Sequence, residues 1–100
     1  MIALFSVVPM GKEALSEDVS KVIDVIDKSG IEYRLTSMGT IVEGTPEEVW
    51  DLLRKCHETM RSLSRRVLTH ISIDDREGAV DSIRSKVKDI EKHLSRELRT

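Results

Sequence analysis

The apolar positions change period several times along the chain, and each change marks an element. Ile2 to Val8 is an apolar run broken only by Ser6 and stopped by Pro9 and Gly11. That length and that stop predict a strand covered on both sides, hence central in a sheet. Ser16 is placed to cap a helix, with Glu17 and Asp18 favourable in its first turn. Val19, Val22, Ile23 and Ile26 then follow at helical spacing, and Gly30 is the expected stop. Tyr33 and Leu35 alternate with Arg34 and Thr36, and Thr40-Ile41-Val42 is β-branched, so two extended runs meet near Ser37-Met38-Gly39. Gly39 is the natural place for a turn or bulge. Thr45-Pro46-Glu47-Glu48 is a helix start with a capping box, followed by the stripe Val49, Leu52, Leu53, Cys56, Met60 and Leu63. Val67 to Ile73 reads as a strand with one wet face, broken by Asp74-Asp75-Arg76-Glu77-Gly78. The acidic residues of that break are expected to favour the N-terminus of a last helix, from about Ala79 to Leu98. This helix carries the narrow seam Val80, Ile83, Val87, Ile90 and Leu94.

The order is β-α-β-β-α-β-α. It predicts an α+β fold: a ferredoxin-like βαββαβ sandwich with an added C-terminal helix and an antiparallel four-stranded sheet, one domain over residues 1–100. The two crossover helices are expected to cover one sheet face. The last helix is too little to cover the other, so a homo-oligomer that stacks sheet faces or pairs edges is the simplest remedy. Whether the seam packs within the subunit or against another is left open by its spacing.

Composition narrows the function. Apolar residues are 39% and charged residues 34%, with a formal net charge of -2. Such a chain is expected to be soluble, with no basic field to attract nucleic acid or an anionic membrane. The same element order underlies an RNA-binding module, but only Phe5, Tyr33 and Trp50 are aromatic and the basic-glycine-aromatic signature is missing. The single cysteine, Cys56, cannot form an internal disulfide, and no apolar run is long enough to span a bilayer, so a cytoplasmic setting is expected. Cys56, His57, His70 and His93 lack paired ligand spacing, so no metal site is expected. Cys56 sits on a core stripe rather than in a nucleophile's setting. No motif specifies an enzyme, and no catalytic residue is assigned.

Four motifs carry a resemblance: Val7-Val8-Pro9-Met10-Gly11, Met38-Gly39-Thr40-Ile41-Val42-Glu43-Gly44, His57-Glu58, and Arg66 to Arg76. Together and in this order, over nearly the whole chain, they resemble the small thiamine-binding, YkoF-like family. The resemblance implies a ferredoxin-like fold, dimers that pair into homotetramers, and thiamine or its hydroxymethylpyrimidine part as ligand, with no bound cofactor besides. Hydroxyls and a backbone able to come close suit the pyrimidine edge, so Ser6, Ser37, Gly39 and Thr40 are candidates. Met38 can pack a ring face. Glu43 can pair with the amine or the cationic ring, although an outward carboxylate or an intersubunit ion pair is the competing reading. His57 and Thr69 follow from motif position alone. The alternative to a ligand-binding protein is a structural or regulatory homo-oligomer with no small ligand.

Overall fold

A computed structural model of the chain describes residues 1–11 and 15–100. Four strands, β1 (Ile2–Pro9), β2 (Glu32–Thr36), β3 (Gly39–Glu43) and β4 (Val67–Asp74), form one antiparallel sheet in the order β2-β3-β1-β4. Three helices intervene or follow: α1 (Ser16–Lys28), α2 (Pro46–Leu63) and α3 (Ser82–Leu94). This is the ferredoxin-like arrangement with an added C-terminal helix, and the apolar run of β1 is a central strand, as expected.

Alternation along β1 decides the layers. Ala3, Phe5, Val7 and Pro9 are buried toward α1 and α2, while Ile2, Leu4, Ser6 and Val8 point to the opposite, open face. Register carries this division across the sheet: Thr40 and Val42 join the helix face through Phe5 and Ala3, and Tyr33 and Leu35 join it through Val42 and Thr40. The core is this layer closed by Val22 and Ile26 of α1 and by Val49, Leu52, Leu53, Cys56 and Met60 of α2. Burying each such side chain is worth roughly 1.5–3 kcal/mol.

Local signals are met where they are self-contained. Thr45 Oγ1 accepts from the Glu48 N–H (3.2 Å) and Glu48 Oε1 accepts from the Thr45 N–H (2.9 Å), the two halves of the capping box. Gly30, at φ +77°, ends α1. Other expectations need correction. Ser16 is the first helical residue of α1 rather than its cap: Leu15 holds that position, no side chain caps it, and its carbonyl accepts from the Val19 N–H. Gly39 does not make the β2–β3 turn, which falls at Ser37-Met38. It opens β3 with a near-extended backbone, and its hydrogen faces a crowded spot, where a Cβ would lie 2.9 Å from the Phe5 carbonyl oxygen and 3.2 Å from Leu4 Cδ1. The crossover helices cover their face incompletely. Ile71 and Ile73 of β4 lie on the helix side opposite Phe5 and Ala3, yet are 42% and 36% exposed, so the second half of this edge strand is left bare on that side.

The last helix is shorter than its apolar spacing suggests. Asp81 and Ser95 both take left-handed backbone (φ +56°) and bracket it, the Ser95 N–H returning to the carbonyls of Glu91 and Lys92. Its N-terminus is capped from across the fold, not by the acidic break before it. Glu43 at the end of β3 accepts from the Ser82 N–H (2.7 Å) and the Ile83 N–H (3.0 Å) through its two carboxylate oxygens. Arg84 reaches back to Glu32 on β2 and to Asp81. Of the seam, Ile83 is buried, whereas Val80, Ile90 and Leu94 are exposed. The helix is thus held within the subunit over its first turns, where Ile83 is buried and Val87 half-buried, and carries Ile90 and Leu94 in the open.

Candidate functional site

The two central strands are of unequal length, and that difference makes a cleft. β1 runs eight residues, but its ladder with β3 stops at Phe5–Thr40, since β3 begins at Gly39. Past that pair, the β2–β3 turn swings away and leaves space between the end of β1, the turn and α1. The cleft has a volume of about 210 Å³. Its apolar wall is Val22, Ile23 and Ile26 of α1 with Leu35 of β2; the turn Ser37-Met38 forms its rim, and Thr40 lies on its floor. Larger grooves exist: one of about 530 Å³ beside Gly44, Pro46 and the loop after β4 is lined by charged surface loops, and a more open one of about 270 Å³ lies on the sheet face between Ile2, Leu4, Ile41 and Ile73, with few polar groups converging on it. A ligand site is more often a concave apolar pocket with a few convergent polar groups, and the cleft is the place that meets this description.

Thr36 fixes the rim. Its hydroxyl donates to the Gly39 carbonyl (2.7 Å) and accepts from the Met38 N–H (3.2 Å), which holds the turn open. Met38 is left 86% exposed at the mouth. Thr40 is the polar side chain of the floor. It is only 4% exposed, makes no side-chain hydrogen bond among the described residues, and no sealed side-chain polar atom lacks a partner. Its hydroxyl therefore opens into the cleft.

Of the eight candidate residues, Ser6, Ser37, Met38, Gly39 and Thr40 border this cleft. Ser6 does so through its main chain, since its side chain points to the open face beside His70. The other three are elsewhere. Glu43 is at the opposite end of β3, with both carboxylate oxygens engaged by α3. His57 of α2 and Thr69 of β4 form their own exposed pair, Nδ1 to Oγ1 at 2.7 Å. The sequence reading missed Thr36 as the latch of the turn, and it missed the α1 wall, whose apolar spacing was visible but read as core alone.

Cys56 is buried in the core, and burial pushes its thiol up to about 12, so it holds its proton. Among the described residues no group of His, Cys, Asp and Glu is placed to hold a metal ion, and no helix is long and apolar enough to cross a membrane.

The sequence model of the family described as "Thiamine-binding protein" matches residues 3–91, most of the chain and both sides of the cleft. The chain belongs to this family. Among its relatives, the UPF0045 protein MJ1052 of Methanocaldococcus jannaschii is 32% identical over 91 residues, covering 90% of this chain and 91% of the relative. The UPF0045 protein YqgV of Bacillus subtilis is 33% identical over 100 residues, covering 93% and 96%. The crystal structure of MJ1052 superposes with a TM-score of 0.82 at 30% identity, over 91% of this chain and 95% of that one. TM0486 of Thermotoga maritima, whose name ties it to thiamine biosynthesis/salvage, superposes with a TM-score of 0.79 at 26% identity, over 89% and 96%. The likeness to these proteins runs over the whole domain, not one motif.

Proposed function

We propose that this chain is a small-molecule binding protein for thiamine or, more closely, for its hydroxymethylpyrimidine part, and that it acts without a catalytic step. The observation that carries the reading is the cleft at the open end of β1: an apolar slot with the Thr40 hydroxyl on its floor and a thioether at its mouth. Family membership and the name of the Thermotoga relative support the ligand class. Size argues for one ring. At about 210 Å³ the cleft falls below the ~300–1,000 Å³ of drug-sized sites, so it suits the pyrimidine and leaves the thiazolium outside, against Met38 or a second subunit.

The same reading has the protein working as a homotetramer in the cytoplasm. Leu4 and Leu68 on the open sheet face are each 46% exposed, and the α3 seam is exposed at Ile90 and Leu94, surfaces that a second copy would cover. Isothermal calorimetry tests the ligand: the pyrimidine and thiamine are both expected to bind, and no heat with either at millimolar ligand contradicts the reading. Those exposed apolar surfaces also favour a second reading, a structural or regulatory homo-oligomer without a ligand. Light scattering that finds a stable monomer overturns that one and the tetramer together.

A further inference from the structure

The ladder between β1 and β3 has a phase that can be read from its ends. Met1 and Gly44 exchange both main-chain bonds, Gly44 N–H to the Met1 carbonyl at 3.1 Å and the Met1 amino group to the Gly44 carbonyl at 2.9 Å. Such pairs recur at every second residue of an antiparallel ladder. Ala3–Val42 and Phe5–Thr40 are therefore the next bonded pairs, and Val7 would bond Met38. The other edge of β1 gives the same phase: the Met10 N–H bonds the Arg66 carbonyl at 2.9 Å in register with β4, so the even residues face β4 and the odd ones face β3.

The pair at Val7 is never made. β3 starts one residue late, and the Met38 N–H that would complete it is turned to Thr36 Oγ1. The N–H and C=O of Val7 thus point side by side toward the turn, into the cleft that Val7 lines. Among the described residues no hydrogen bond reaches the Val7 N–H or C=O on this side; a buried main-chain donor and acceptor left so are costly, by roughly 1–3 kcal/mol each, and an arriving group that satisfies both at once removes that cost.

Resting on the ligand-binding reading above, we propose that this vacant rung at Val7 recognises a flat heteroaromatic ring bearing an amine beside a ring nitrogen. The Val7 carbonyl accepts from the exocyclic amine, and the Val7 N–H donates to the adjacent ring nitrogen. The Thr40 hydroxyl and the Val22–Ile26 wall fix the rest of the ring. The rung also discriminates. A ring with an oxo group in place of the amine presents acceptor to acceptor and donor to donor. It can match only by turning over, which exchanges its substituents between the apolar wall and the mouth.

Amide hydrogen exchange followed by NMR on the full ¹⁵N-labelled chain tests this, with 4-amino-5-hydroxymethyl-2-methylpyrimidine as probe and its 4-oxo counterpart as control. In the free protein the Val7 amide is expected to exchange at least about ten-fold faster than that of Phe5 in the same strand. Saturation with the aminopyrimidine should slow Val7 by about ten-fold or more, and the oxo ring should bind at least about ten-fold more weakly. A Val7 amide as protected as Phe5 before ligand is added overturns the proposal. So does binding that leaves Val7 unchanged or that ignores the amine, and in that case the ligand-binding reading stands without it. Failure of both rings to bind removes both.

Discussion

Glu43→Ala separates a structural carboxylate from a ligand-binding one. Glu43 receives two main-chain N–H groups of α3 across a sequence separation of 39 and 40 residues, and the contact is partly buried. A hydrogen bond to a charged group contributes about 1.5–3 kcal/mol, and loss of an N-cap costs about 0.5–2 kcal/mol. The two describe the same contact and are not summed, so about 2 kcal/mol is expected. Beyond the exposed Arg84 pairs with Glu32 and Asp81 and the half-buried Val87, little else secures this helix. It has 13 residues, too few for stability alone, and Ile83 is its one buried side chain. The loss should therefore appear as local opening, with the open population of α3 rising about 30-fold, as about 2 kcal/mol implies. Amide exchange at Ser85, Lys86 and Val87 reads this directly, while the α2 amides should hold. Affinity for the pyrimidine should stay within about two-fold, because the cleft is at the other end of β3. A variant with α3 exchange unchanged and pyrimidine binding abolished would refute the reasoning and return Glu43 to the ligand.

Three further outcomes follow from single contacts. Gly39→Ala should cost about 1–3 kcal/mol, since its Cβ meets the Phe5 main chain, which cannot move aside cheaply; at about 4–8 °C per kcal/mol the melting temperature should fall clearly, and an unchanged value contradicts the close approach. The Glu48 carboxylate is held below the usual range, first by the Thr45 N–H and then by the Thr45 side chain. Its contribution is therefore present above the ordinary carboxylate pKa and is lost as pH falls through its lowered folded value; urea midpoints against pH should show a flatter acid limb in Glu48→Gln, and identical limbs would contradict this. The Cys56 thiol, buried and raised to about 12, should ignore a disulfide reagent at pH 8 until denaturant is added, and rapid labelling of the native protein would be inconsistent with the core described.

The parts legible in the sequence are those whose signals are local. Thr45 and Glu48 are three residues apart and cap as their spacing suggests, and the change from strand to helical period gave every element in order. What stayed hidden depends on residues far apart in sequence. Nothing near Ser82 announces that a carboxylate 39 positions earlier caps α3, so the acidic residues beside it looked like the better partners. The bare half of β4 depends on how the helices lie across the sheet, which the alternation of Ile71 and Ile73 does not encode. The hydroxyl-rich bend was visible as candidate chemistry, and the residues around Met38-Gly39-Thr40 do meet in one cleft. The vacancy beside them is a main-chain feature, legible only by setting an eight-residue β1 against a five-residue β3.

The claim on which the functional account turns is that one ring enters between the end of β1, the β2–β3 turn and α1. Chemical-shift mapping of the labelled chain with the hydroxymethylpyrimidine tests it most directly. The account predicts that the largest shifts fall on Val7, on Thr36 to Thr40 and on the Val22–Ile26 face of α1, with Glu43, His57 and Thr69 nearly still. Shifts centred on the His57–Thr69 pair or on the open sheet face around Leu4 and Leu68 would contradict it.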